Sequence, residues 1–249
     1  MVDALSNWQP KRCVVVGASG GIGAGFVEHL LARDSVEQVY GFARSATVSA
    51  ESDRFTAGRL DYADAGSIEA AADQVKQDGP VDLVIVATGL LHAEDGFGPE
   101  KSLRQLDPEA LSRAYLVNAI GPMMVAKHFL PLLTKDMKSV FAALSARVGS
   151  ISDNRIGGWY GYRAAKAGLN QMLRTASIEH QRRWPHSVII GLHPGTVDTG
   201  LSKPFQRNVA DGKLFTAQHS TGQMLNVIDR VTEADSGNVF AYDGSQVPA

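Results

Sequence analysis

The sequence predicts an α/β protein whose core is an open, doubly wound parallel sheet of about seven strands with helices on both faces. Three observations carry that reading. Short apolar runs alternate with longer amphipathic ones along the chain. The short runs are apolar throughout, as strands covered on both faces require. The stretches between them are helix-long, which suits right-handed crossovers between parallel neighbours. With 249 residues, 44% of them hydrophobic, the chain is long enough for one substantial core and is expected to form one domain over 1–249.

Taken in order, CVVVGA (13–18) reads as the first strand, and a helix is expected over 22–33. QVYGFA (38–43) gives the next strand and 64–78 the next helix. VDLVIVAT (81–88) is followed by an irregular stretch (89–106) and a long helix over 108–134. SVFAALS (139–145), a helix over 160–184, SVIIGLH (187–193) and NVFAYDG (238–244) complete the alternation. The helical stretches carry apolar residues at mixed spacings of three and four, the repeat of one helix face. A second irregular stretch spans 200–215. In such sheets ligands bind beyond the carboxyl ends of the strands, so the loops at 89–106 and 200–215 are the natural substrate walls. No internal repeat, low-complexity tract or Gly/Ser linker interrupts the rhythm.

Composition narrows the function classes. A net charge of -2, without long runs of one sign, leaves no footprint for nucleic acid or an anionic membrane and favours a small-molecule partner. The one cysteine, Cys13, lies in the first strand and cannot form an internal disulfide, which fits a reducing compartment. MVDALSNWQPKR lacks the pattern of a signal peptide, and no apolar run reaches membrane-spanning length, so a cytoplasmic location is expected. His29, His92, His128, His180, His186, His193 and His219 are scattered without metal-ligand spacing, and no metal site is expected.

VVVGASGGIG (14–23) fits two motifs. Gly17-Ala18-Ser19-Gly20-Gly21 matches the nucleophile elbow of a serine hydrolase, but that elbow normally follows several strands and this one follows the first. A Rossmann-type phosphate turn belongs at this position, because the next helix offers free N–H groups and a positive dipole end. Gly17 then permits the turn, Gly21 lets a pyrophosphate approach and Gly23 lets the helix pack on its strand. Ser19 becomes a hydroxyl donor to phosphate, and Gly20 and Ile22 complete the cofactor-binding turn. At the end of the second strand, where NAD-selective proteins place a carboxylate, stand Ala43 and Arg44. A guanidinium pairs with a 2′-phosphate, so NADP(H) is favoured over NAD(H).

Tyr162 and Lys166, in YGYRAAKAGLN (160–170), are four apart and share a helix face, whereas the fourth neighbour of Tyr160 is Ala164. An adjacent ammonium favours the phenolate, drawing the phenol from its usual ~10 toward the working range and making a usable proton donor. Trp159 and Tyr160, just before the catalytic pair, can form an aromatic wall at the mouth of the site or simply pack the helix start.

The early GASGGIG, the Tyr162/Lys166 pair and HPGTVDT (193–199) resemble the short-chain dehydrogenase/reductase family over nearly the whole chain. LSARVGSISDNRIGGWYGYRAAKAGLN and the ending GNVFAYDGSQVPA look like its C-factor and sniffer-type carbonyl reductase branch. The resemblance implies an NADP(H)-dependent oxidoreductase acting on a carbonyl or alcohol, with Tyr162 protonating the substrate oxygen and Lys166 holding the nicotinamide ribose. It implies that Asn118 links Lys166 to solvent through a water. The family's two serines, of which the second is catalytic, correspond here to Ser145 and Ala146; Ser145 is therefore the expected donor to the substrate oxygen, with Ser150 as understudy. Asp61 matches the residue that fixes adenine, Gly89 the glycine after the fourth strand, and Pro194, Gly195, Val197 and Thr199 the segment against nicotinamide. Relatives associate through the helices at 108–134 and 160–184, so a homodimer or homotetramer is expected. The competing reading is an NADP(H)-binding signalling or regulatory protein whose reductase chemistry is vestigial or secondary.

Overall fold

The computed structural model describes residues 8–45 and 50–249. Its elements in chain order are β1 (Arg12–Val16), α1 (Gly21–Leu31), β2 (Gln38–Ala43), β3 (Phe55–Arg59), α2 (Ala65–Gln77), β4 (Leu83–Val86), α3 (Pro108–Tyr115), α4 (Gly121–Phe129), β5 (Ser139–Leu144), α5 (Tyr160–His180), β6 (Ser187–His193), β7 (Thr196–Val197), β8 (Leu214–Phe215), α6 (Ala217–Arg230) and β9 (Val239–Ala241). Seven strands form one parallel sheet in the order β3-β2-β1-β4-β5-β6-β9, and β7 pairs with β8 separately. The order reverses between β1 and β4, which opens a crevice at the carboxyl end of β1.

Alternate residues of each central strand enter opposite cores, which is why the strands read as unbroken apolar runs. Val14, Val84, Phe141 and Ile189 pack with Ile68 and Val75 of α2, Phe129 of α4 and Leu169 and Leu173 of α5. Cys13, Ile85, Val140 and Ile190 pack on the other face with Phe26 and Leu30 of α1 and Met224 and Ile228 of α6.

Besides the two-residue strands β7 and β8, two elements escape the sequence pattern. β3 is an edge strand (FTAGR) whose residues are half-buried or exposed, so it carries no apolar run. α6 begins with polar residues inside the stretch after 215, and only its second half, from Met224, supplies several core side chains; Thr216 caps it by accepting the His219 amide at 3.1 Å. The long helix expected over 108–134 is interrupted by a π turn at Leu116–Ile120 and gives way at Leu130–Leu132 to a tighter turn containing Pro131. The last strand stops at Ala241, because Gly244 at φ +85° folds the chain back onto the Ala241 carbonyl.

Candidate active site

The chain leaves β1 through Gly17, whose φ of +88° is open to glycine and strained for other residues. The Gly17 and Ala18 amides both donate to the Phe42 carbonyl, at 2.7 and 3.0 Å, pinning the turn to the end of β2. A Cβ on Gly23 would lie 2.0 Å from the Gly17 oxygen, and one on Gly21 would lie 2.9 Å from Thr199 Cγ2. These glycines are therefore demanded by close approach. Gly20 precedes α1 without a side-chain cap, and no acidic residue occupies the first turn. The orphan amides and the positive helix end are thus open to an anion, and they fit the phosphates of a dinucleotide.

Beyond the turn lies a cleft of about 530 Å³ bordered by Gly17, Ser19, Gly20, Arg44, Asp61 and Gly89. Arg44 is exposed at the end of β2, and Asp61 follows β3 with its carboxylate accepting the Ala63 amide at 3.1 Å. The hydroxyls of Tyr62 and Thr88 share a 2.7 Å hydrogen bond, and the Thr88 methyl would touch a Cβ on Gly17 at 3.0 Å. Gly121 makes room for the Tyr62 ring, since a Cβ there would lie 2.1 Å from it. The Pro194–Thr199 segment reaches the same turn through Thr199; Ser220 of α6 holds it by donating to the Pro194 carbonyl at 2.7 Å, and Gly195 turns at φ +74°. Val197 is buried in β7.

Tyr162, Lys166 and Asn170 stand one turn apart on a single face of α5. Lys166 is buried, and its Nζ donates to the Leu144 carbonyl at the end of β5 at 2.7 Å. Ser145 Oγ, buried one residue later, donates to Asn170 Oδ1 at 2.5 Å. These two bonds latch α5 to the strand end and carry Tyr162 one turn beyond it. Gly149 allows the approach, because a Cβ there would lie 2.8 Å from Lys166 Cβ.

Electrostatically, burial governs both members of the pair. It pushes the Lys166 amine down to about 7 and the Tyr162 phenol up to about 12, because each charged form is disfavoured away from water. The lowering of Tyr162 expected from its neighbour is not seen in the free chain: Lys166 Nζ lies 5.7 Å from the centre of the phenol ring and is engaged by Leu144.

Ser145 stands directly after β5, at the strand end where the sequence suggests it. Its hydroxyl donates to Asn170 of α5. Ser150, also buried, donates to the Ala249 carbonyl at 3.4 Å and accepts the Asp153 amide at 3.2 Å. Asn118 lies in the π turn and is fully buried. Its Oδ1 accepts the Leu90 amide at 3.0 Å, and its Nδ2 donates to the carbonyls of Leu90 at 2.8 Å and Ala114 at 3.0 Å. It thereby ties the helix to the loop after β4.

Sequence reasoning missed Asn170, Tyr62 with Thr88, and Glu100. Asn170 had a legible signal, four residues after Lys166 on the catalytic face. Glu100 had none: it is a buried carboxylate in an irregular loop, accepting the Gly161 amide at 3.1 Å at the start of α5. Among the described residues no group of His, Cys, Asp and Glu is arranged to hold a metal, and no helix is long and apolar enough to cross a membrane.

A phosphate-ready glycine turn at the reversal of a parallel sheet, with a Tyr/Lys pair at the end of a nearby strand, defines a dinucleotide-dependent oxidoreductase. The chain belongs to the short-chain dehydrogenase/reductase family: the family model for short chain dehydrogenase matches residues 11–210. It is 35% identical over 170 residues to the C-signal protein of Myxococcus xanthus, covering 68% of this chain and 93% of that protein. An uncharacterized oxidoreductase of Schizosaccharomyces pombe is 26% identical over 257 residues, with 96% and 98% covered. Among solved structures, the NADPH-bound carbonyl reductase from chicken fatty liver superposes with a TM-score of 0.85 at 25% identity, covering 98% of this chain and 96% of that one. The carbonyl reductase Sniffer of D. melanogaster shares the fold with a TM-score of 0.82 at 20% identity, over 96% and 99% of the two chains. The protein is accordingly an NAD(P)-dependent dehydrogenase/reductase that acts on a small molecule.

Proposed function

We propose that the protein is an NADP(H)-dependent reductase of carbonyl compounds, running in reverse as an alcohol dehydrogenase, with Tyr162 as the general acid and base. The observation that carries this is the Tyr162–Lys166–Asn170 ladder, latched to β5 by the bonds to Leu144 and Ser145. When bound, the nicotinamide supplies the hydride. Gly17, Ser19, Gly20, Gly21, Ile22 and Gly23 hold the phosphates, Asp61 and Gly89 border the adenosine, and Pro194, Gly195, Val197 and Thr199 line the nicotinamide side. Lys166 holds the ribose hydroxyls. Tyr162 gives its proton to the carbonyl oxygen as charge develops there, and in the opposite direction takes it back. Ser145, with Ser150 as understudy, donates to the substrate oxygen, and Asn118, which fixes the loop at Leu90, links Lys166 to solvent through a water.

Exposed Arg44 at the lip of the cleft supports the choice of NADP(H), since a guanidinium can pair with the 2′-phosphate. Arg44→Ala is expected to raise the Kd for NADPH about tenfold or more, the value of one charge-assisted contact, while leaving that for NADH unchanged. Equal losses for both nucleotides would remove the assignment. Turnover itself is tested by a panel of aldehydes, ketones and quinones with NADPH and NADH side by side. Consumption of NADPH with some of them is expected; cofactor binding with no turnover across the panel would favour the regulatory reading.

The chain is read as one domain and, with its thiol buried in β1, as a protein of the cytoplasm. Exposed Tyr115, Ile120, Met124 and Ile178 on α3, the π turn, α4 and α5 support a homo-oligomer joined through these helices.

A further inference from the structure

Trp159 is the one non-glycine residue with positive φ among the described residues, at +54°. It ends a run of three left-handed residues that begins with Gly157 at +71° and Gly158 at +66°. A tryptophan is costly there and persists only where its surroundings over-determine it. They do. The Trp159 amide donates to the Glu100 carbonyl at 2.5 Å, and the Glu100 carboxylate takes the Gly161 amide. From the other side Arg163 donates to the carbonyls of Gly158 at 3.0 Å, Gly157 at 3.3 Å and Val148 at 3.3 Å.

Core packing does not account for this arrangement, because the half-buried indole belongs to neither core cluster. It lies instead edge-on to Tyr162, with centroids 6.2 Å apart, and to Phe205 at 5.2 Å. Phe205 meets His92 edge-on at 5.8 Å, and His92 Nε2 donates to the Gly200 carbonyl at 2.9 Å. The two irregular loops thus join the catalytic helix through a row of rings beside the proton donor.

We propose that Trp159 is a specificity-determining residue, held by Glu100 and Arg163 so that its indole, with Phe205 and His92, selects carbonyl compounds with a flat, conjugated body. The inference rests on the reductase reading of the same site. Flat rings gain offset or edge-on contacts against such a wall, and branched aliphatic bodies of similar size do not.

The test uses two carboxamides that are not reduced, benzamide and isobutyramide, titrated calorimetrically into the full chain with saturating NADP+. The wild type is expected to bind benzamide about tenfold more tightly, the equivalent of one good ring contact. Trp159→Gly, which suits the left-handed backbone, should bring the two affinities within about twofold without lowering Tm, and Trp159→Phe should keep most of the preference. Phe205→Ala reads the same wall from the opposite loop and should also reduce the preference. No preference in the wild type, or an undiminished one in Trp159→Gly, would overturn the proposal. Because neither amide is turned over, the titration answers independently of whether Tyr162 carries catalysis.

Discussion

Tyr162→Phe lowers carbonyl reduction about 10²–10⁴-fold, the usual contribution of a positioned general acid. The phenylalanine keeps the ring against Trp159 and below the Lys166 amine, so the fold and the cofactor cleft remain as they are. NADPH affinity, followed by fluorescence titration, therefore stays within about threefold while kcat and kcat/KM fall together, the signature of a contact made only in the transition state. The size of the effect follows from the surroundings. Position 146 is an alanine, so of the two serines the resemblance leads one to expect, only Ser145 stands at the end of β5. Retained activity within about tenfold would mean that a donor other than Tyr162 stabilises the developing alkoxide.

Gly23→Ala has the second large effect, on the cofactor. The added Cβ would stand 2.0 Å from the Gly17 carbonyl oxygen and 3.0 Å from Ala18 Cα, all backbone, so no rotamer change relieves it. Either α1 or the turn after β1 must move, and the bonds from Gly17 and Ala18 to Phe42 resist the second. We expect NADPH binding to weaken about 100-fold or more, and an overpacking cost of about 1–3 kcal/mol that lowers Tm by several degrees. Gly20→Ala is the matched control. Its Cβ meets the Gly17 oxygen at 3.4 Å, an ordinary contact, so its Tm should stay close to that of the parent. Thermal melts of the two variants, with and without NADPH, check both statements.

What the sequence reveals follows from where local pattern and tertiary demand coincide. The central strands bury both faces, so β1, β4, β5 and β6 announce themselves as apolar runs, and the glycine turn is legible because close backbone approach permits no other residue. Tyr162 and Lys166 are legible because a four-residue spacing places them on one face of a helix. β3 and α6 lack a full apolar pattern, one as an edge strand and the other as a helix with a polar first half. Ser145 shows a different limit: its bond to Asn170, 25 residues away, is not announced by any local pattern. Glu100, Tyr62 and Thr88 act through contacts between distant segments, and no spacing rule reports those. Trp159 is equally compatible in sequence with a wall and with helix-start packing; its backbone strain and its absence from both cores are the observations that support the proposed wall.

The central claim is that a phenol kept neutral by burial becomes an acid poised for the reaction once a cation shares its cleft. Ultraviolet difference titration of the phenolate, wild type minus Tyr162→Phe, measures this directly with and without saturating NADP+. In the free chain the phenol is expected to titrate near 12, because burial opposes its charge. With the cationic nicotinamide ring of NADP+ beside it, it should drop below the ordinary ~10 of an unperturbed tyrosine. A phenol that stays at or above that value while NADP+ is demonstrably bound would contradict the account.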